Sequence, residues 1–446
     1  MMGAVQLLRI SSRYHRHPML SMRKHDRVVD GDGPLLKWAM SNLIYLDAIS
    51  AVPPWSETIA AMHPFLTEAW GNPLSPHVAG DRPNQAVEHA RDQVAALVGA
   101  DPSEVVFTAS GSEANNLAVK GLAEAAAVRH RRHLVISAVE HPSITGSCRA
   151  LEARGFTTTV LPVDSTGRVD PDRVQSELTA QTALVSIQAA SGEIGTLQPL
   201  AEIGAVTRRA GVPFHVDAVV AAGRIPLDTA ALRVDAMSLS SNQLGGPSGA
   251  GALIVRRGIR LEPLIHGGTQ ERGRRAGLEH VPGIVGMGVA AELTRVELPS
   301  LISRVTPLMA RLRDGLLKTL DGCRMTGHPM VRLPGHLSLA VEFVEGEALV
   351  MALSRDGIAA AAGVTCRERT AWKASPALLA LGLEQSLAQG AVVFSLWRGN
   401  TPEEIDRAIQ LIARHVSHLR ALSPIYAARV PRDPPVPRVP RVPRVR

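Results

Sequence analysis

The chain of 446 residues is 45% hydrophobic and 20% charged, the balance of a soluble globular protein with room for one large α/β domain and a smaller one. No apolar run reaches the roughly 18 residues of a membrane span, and Cys148, Cys323 and Cys366 show no paired spacing, which excludes a disulfide scaffold and fits the cytoplasm. The formal net charge of +7 sits at the ends: residues 1–39 carry +4 and residues 429–446 carry +5, which leaves about −2 for the body and no case for nucleic-acid binding.

Residues 1–39 lack apolar periodicity and read as a disordered leader, an over-extended start, or a targeting segment, since the first 25 residues hold no acidic side chain. From about residue 60 to 265 short apolar runs alternate with amphipathic stretches. VVF (105–107) precedes a helical run from Ser112, LVIS (134–137) one from Pro142, and ALVSI (183–187) one from Leu197. PFHVD (213–217) then leads to AMSLS (236–240). This alternation predicts a mostly parallel sheet covered by helices on both faces, with its site beyond the carboxyl ends of the strands. A helical stretch over 283–320 connects to a smaller α/β unit: LSLAVEF (337–343), a helix over 347–354, the Cys366 loop, VVFSL (392–396) and a helix from Pro402 to about Leu419. The end repeats Val-Pro-Arg, which favours solvated polyproline II, either as decoration or as a ligand for an aromatic groove.

Several residues carry chemistry. Gly111 and Ser112 lie where a strand turns into a helix, and small residues there expose backbone N–H groups that suit a phosphate. Ser112 equally suits an N-cap, which alone would explain it. His141 and Asp217 each follow a strand, and either could be an ordinary polar strand end. Cys366 is followed by Arg367 and Arg369, cations that favour a thiolate, with Glu368 between them opposing the effect. An inherited, idle thiol is the alternative.

The segment 235–257, DAMSLSSNQLGGPSGAGALIVRR, resembles the cofactor-lysine segment of the cysteine desulfurases, a pyridoxal phosphate (PLP)-dependent branch of the class V aminotransferases. GNPLSPHVAG (71–80), FTASGSEANN (107–116), EHPSITGSCRALE (140–152), GEIGTLQP (192–199), HVDA (215–218) and IHGGTQERGRRAG (265–277) resemble the same family in the same order. The resemblance implies the PLP fold-type I: a large domain with a mostly parallel, seven-stranded-type sheet between helices, a smaller α/β C-terminal domain, and a homodimer. The implied division is 1–39 leader, 40–60 an N-terminal segment packing on the small domain, 61–265 the large domain, 266–422 the connecting helix and small domain, and 423–446 a disordered tail. By the same resemblance Gly111, Ser112 and Ser240 fall at the phosphate, Asn242 is a further cofactor-binding position, His141 stacks on the ring, Asp217 faces the ring nitrogen, and Cys366 carries sulfur.

The departures run in one direction. Gln243 stands where the family has the lysine that forms the Schiff base, and a carboxamide nitrogen, delocalised into its carbonyl, is not nucleophilic. Val220, Gly192, Leu278, His280 and Val393 stand for a glutamine, an asparagine, a threonine, an asparagine and the arginine that clamps the substrate carboxylate. The expectation is a degenerate, non-catalytic member: a scaffold, a partner subunit of an active desulfurase, or a sulfur carrier to an acceptor protein through Cys366. PLP is then held, if at all, other than as a Schiff base, and no metal is called for. Two alternatives stand beside it: an enzyme with non-covalent PLP or other chemistry, and a cysteine desulfurase that takes sulfur from L-cysteine.

Overall fold

The computed structural model describes residues 43–363 and 374–429; Cys366, the leader over 1–39 and the Val-Pro-Arg repeats lie outside them. From the N-terminal side, strand β1 (Ile44–Tyr45) and helices α1 (Ser56–Thr67) and α2 (Val78–Leu97) lead into the alternating region. There β2 (Val105–Thr108), α3 (Gly111–Ala127), β3 (His133–Ser137), α4 (Pro142–Glu152), β4 (Thr157–Leu161), α5 (Pro171–Glu177), β5 (Thr182–Gln188), α6 (Leu200–Ala210), β6 (Phe214–Asp217), β7 (Ala236–Ser240) and β8 (Gly251–Val255) follow in turn.

These strands form one seven-stranded sheet in the order β2-β8-β7-β6-β5-β3-β4. Only β8 runs against its neighbours; the other pairs are parallel. Every residue of β5, β6, β7 and β8 is buried, as strands covered by helices on both faces must be. The edge strand β4, TTTVL, keeps a half-exposed face and lacks the apolar run that marks the others. The helix expected from Leu197 begins at Leu200, because Ala190 and Leu197 pair in a turn first. Gly195 makes that turn at φ +76°, and a Cβ there would lie 2.4 Å from the His336 ring.

Beyond the sheet, the 39-residue helix α7 (Val281–Thr319) leads to β9 (Cys323–Met325), β10 (His336–Val341), α8 (Gly346–Arg355), β11 (Ile358–Ala359), β12 (Ala361–Ala362), α9 (Pro376–Ala380), α10 (Gln385–Gln389), β13 (Ala391–Ser395) and α11 (Pro402–Leu422). An antiparallel sheet β12-β13-β10-β9 results. Small residues let α7 approach its neighbours closely: a Cβ on Gly288 would meet Ala90 of α2 at 2.6 Å, and one on Gly315 would meet Ile409 of α11 at 2.5 Å. The segment after β1 touches both sheets. β1 pairs in parallel with β11 as a separate two-stranded sheet, Asp47 then bridges Ser395 of β13, and the Val52 N–H reaches the Asn242 carbonyl just beyond β7 at 3.0 Å. Within the segment expected as a disordered tail, Pro424–Arg429 form a short helix α12 with Tyr426 against Phe343 at 5.6 Å.

Candidate active site

A cavity of about 430 Å³ opens beyond the ends of β5, β6 and β7, where Gln188, Asp217 and Ser240 are the last strand residues. All the described candidates line it: Gly111, Ser112, His141, Asp217, Ser240, Asn242 and Gln243. Its position follows from strand polarity, since parallel strands deliver their C-terminal residues to one edge of the sheet.

One wall is the N-terminus of α3. Ser110, in extended backbone at φ −170° and ψ 166°, caps the helix by accepting the Glu113 N–H at 3.1 Å. Capping therefore does not explain Ser112, which is exposed in the first turn. Gly111 is required for close approach: a Cβ there would lie 2.5 Å from Val219 Cγ2 and 3.1 Å from Ser240 Cβ. Ser240 completes this wall, its hydroxyl donating to Asn242 Oδ1 at 2.6 Å. A helix N-terminus lined by two serines suits a phosphate.

A second wall is a chain of hydrogen bonds. Asp217 is buried at the end of β6 and accepts from the Val219 N–H at 3.0 Å and from Asn115 Nδ2 at 2.7 Å. The same Asn115 amide donates to Ser143 Oγ at 2.9 Å, and Ser143 meets His141 Nδ1 at 2.7 Å. Because His141 Nδ1 also accepts the Ser143 N–H at 3.1 Å, a neutral ring carries its hydrogen on Nε2. Burial pushes the Asp217 carboxyl up, and His141, the Val219 N–H and the Asn115 amide pull it back. Asn115 and Ser143 were missed by sequence reasoning. The only signal for Asn115 is its position four residues after Gly111, on the same helix face.

Glu140 was also missed. Its Oε1 accepts from Ser137 Oγ at 2.5 Å and from the Gln188 N–H at 3.0 Å, while its Oε2 has no partner. Burial pushes this carboxyl up to about 8, the two hydrogen bonds opposing and the Asp217 charge assisting.

The third wall holds the residues that depart from the resemblance. Gln243 Nε2 donates to the Ile49 carbonyl at 2.9 Å and the Ser50 carbonyl at 3.1 Å, and its Oε1 is buried without a partner. Asn242 also holds Ser50, through Nδ2 at 3.2 Å. Val220 and Ile49 border Gly192, where a Cβ would meet them at 3.6 and 3.4 Å. Val393 lies fully buried in β13, in one apolar cluster with Ile49 and Ala361. Leu278 is exposed, and His280 holds the N-cap position of α7 without a side-chain cap bond. No lysine or arginine is among the described residues lining the cavity.

PLP thus fits this cavity in part. The α3 N-terminus, with the clearance at Gly111, suits its phosphate, and buried Asp217 suits its ring nitrogen. The aldehyde end finds no amine among the described lining residues.

The family described as Aminotransferase class-V matches residues 44–408. A cysteine desulfurase of Nostoc sp. is 42% identical over 383 residues, 86% of this chain and 95% of that protein. The cysteine desulfurase IscS of Methanosarcina thermophila is 39% identical over 382 residues, 86% and 94% of the two chains. Among solved structures, a NifS-like protein matches with a TM-score of 0.79 and 33% identity over 84% of this chain and all of that one. SspA in complex with cysteine matches with a TM-score of 0.71 and 30% identity over 80% and 99%. The names of these relatives lend no support to a non-catalytic scaffold and favour the desulfurase alternative instead. With the fold, the order of its segments and these relatives in agreement, the chain belongs to the cysteine desulfurase family of the class V aminotransferases.

Proposed function

We propose that this chain is a sulfur-handling member of its family that holds PLP without a covalent link. The observation that carries the reading is Gln243: both amide hydrogens lie on the Ile49 and Ser50 carbonyls, and no lysine is among the described residues that line the cavity. The phosphate is held at the α3 N-terminus by backbone N–H groups near Gly111 with Ser112 and Ser240. Asn115 fixes the Asp217 carboxylate for the ring nitrogen, and Ser143 fixes the His141 ring with Nε2 as its donor. PLP, when bound, supplies an electron-accepting ring. Cys366 is the proposed sulfur carrier, to an acceptor protein or from an active desulfurase, and the chain works as a homodimer in the cytoplasm.

A second reading is cysteine desulfurase proper, acting on L-cysteine, favoured by 42% identity over 383 residues to a protein of that name. Gln243, and Val393 at the carboxylate clamp, argue against it.

Absorbance spectra before and after added PLP, followed by borohydride reduction and peptide mapping, separate the two. The first reading expects colour that dialyses away, no pyridoxyl peptide, and sulfide release from L-cysteine near background. A pyridoxyl lysine, or sulfide released at about 1 s⁻¹ or faster, establishes the second.

A further inference from the structure

The polar imbalance of the cavity points to the form of its ligand. Among its described lining residues, two buried amide oxygens have no partner and can only accept: Gln243 Oε1 and Asn115 Oδ1. Gln243 and Asn115 are 7% and 1% exposed, so water does not satisfy them readily. The orientation of the Gln243 amide is fixed by chemistry. Its two neighbours at 2.9 and 3.1 Å are backbone carbonyls, which only accept, so the NH₂ group must face them and the oxygen must turn away. The charge balance agrees. Glu193 and Asp217 line the cavity, and among its described lining residues there is no lysine or arginine. Positive potential comes from the α3 N-terminus.

We propose that this pocket selects the amine form of the cofactor over the aldehyde form, that is, a phosphorylated pyridine carrying a primary ammonium, pyridoxamine phosphate. The inference rests on the non-covalent reading above and specifies its ligand. An ammonium brings the hydrogens that the Gln243 carbonyl lacks, and its charge complements the carboxylates. An aldehyde brings one more acceptor to a site already rich in them, and no amine stands ready to convert it. The phosphate and ring contacts are common to both forms, so the difference in affinity isolates the amine end. Replacement of an amine-bearing lysine by an acceptor moves the amine from protein to ligand.

The test is isothermal titration of the full chain, freed of cofactor by dialysis, with pyridoxamine phosphate and with PLP in separate experiments. The expected result is tighter binding of pyridoxamine phosphate by about 10- to 100-fold, the effect of one hydrogen bond to a charged group. Equal affinity, or preference for PLP, overturns the inference while leaving the non-covalent reading in place. Binding of neither ligand overturns both. Gln243→Met, which removes the carbonyl at similar volume, should bring the ratio toward one. Undiminished preference in a folded Gln243→Met protein would also overturn the inference, and if that variant does not fold, the ratio for the unmodified chain decides alone.

Discussion

Gln243 gives the sharpest prediction at the scale of single residues. Gln243→Lys restores an amine among otherwise intact phosphate and ring contacts, so visible cofactor absorbance should return. Turnover of L-cysteine should lag far behind, because Val220, Gly192 and Val393 leave the substrate end apolar. Recovery of both together, in spectra and sulfide assays on one preparation, would show that these three positions matter little. Glu140 gives a prediction about pH. Burial raises its carboxyl from the ordinary 4.5 to about 8, with Asp217 assisting and Ser137 and the Gln188 N–H opposing. Between those values the folded chain holds a proton that the unfolded chain has released, so stability falls as pH rises through this window. Glu140→Gln keeps an acceptor for Ser137 and Gln188 and removes the ionisation. It should therefore gain on the parent by roughly 2 to 4 kcal/mol between pH 5 and pH 8 in denaturant titrations; an unchanged difference would place the carboxyl in water. The thiols give a third. Burial pushes Cys148 up to about 12 and Cys323 up to about 11, so neither offers much thiolate near neutrality. With limiting alkylating reagent, peptide mapping should find Cys366 labelled first, and equal labelling of all three would remove it as the sulfur carrier.

Among elements, the contact that holds the site's frame is a buried ion pair between α2 and the loop before α7. Arg91 donates to both carboxylate oxygens of Glu271, at 2.8 and 2.9 Å, and to the Val105 carbonyl at 3.0 Å. Glu271 also accepts the Phe107 N–H at 2.9 Å, and the Arg91 guanidinium lies 4.9 Å from the Phe107 ring centroid. To reach these partners Glu271 and Arg272 take left-handed backbone, at φ 48° and 57°. Glu271→Ala removes the buried carboxylate and leaves Arg91 only the half-exposed Glu88 as a charged partner, 3.1 Å from its Nε, so it should cost up to about 3–5 kcal/mol in denaturant unfolding. Arg91→Met combined with Glu271→Leu should cost clearly less than the sum of the single changes. Strict additivity would mean that the two side chains do not stabilise each other.

For the whole molecule, the question is what covers the apolar residues left at the surface. Trp70 is 76% exposed, Val78 85% and Leu278 62%, in two segments that precede α2 or α7 or open α2 itself. Large apolar side chains exposed in a body of about −2 formal charge suit a partner surface. Light scattering at micromolar concentration should give the dimer mass, and Trp70→Glu together with Leu278→Glu should shift it toward monomer. A monomer mass for the unmodified chain would exclude the homodimer.

The sequence by itself determined the strands whose residues form apolar runs, such as VVF at 105–107 and ALVSI at 183–187, and the long helices with a repeating apolar face. It also determined which residue types reach the cavity, because parallel strands deliver their ends to one edge and the motifs sit at those ends. It did not reveal β4, whose threonine-rich edge needs only one covered face, nor Ser110 rather than Ser112 as the α3 cap, since capping depends on the backbone angles of the residue before the helix. Only the tertiary structure paired Asn115 with Asp217, 102 residues away, Arg91 with Glu271, 180 away, and Gln243 with Ile49, 194 away. The identity of Gln243 showed that an amine was missing; where its hydrogens go, and hence that an acceptor is left over, depends on which distant backbone the fold brings beside it.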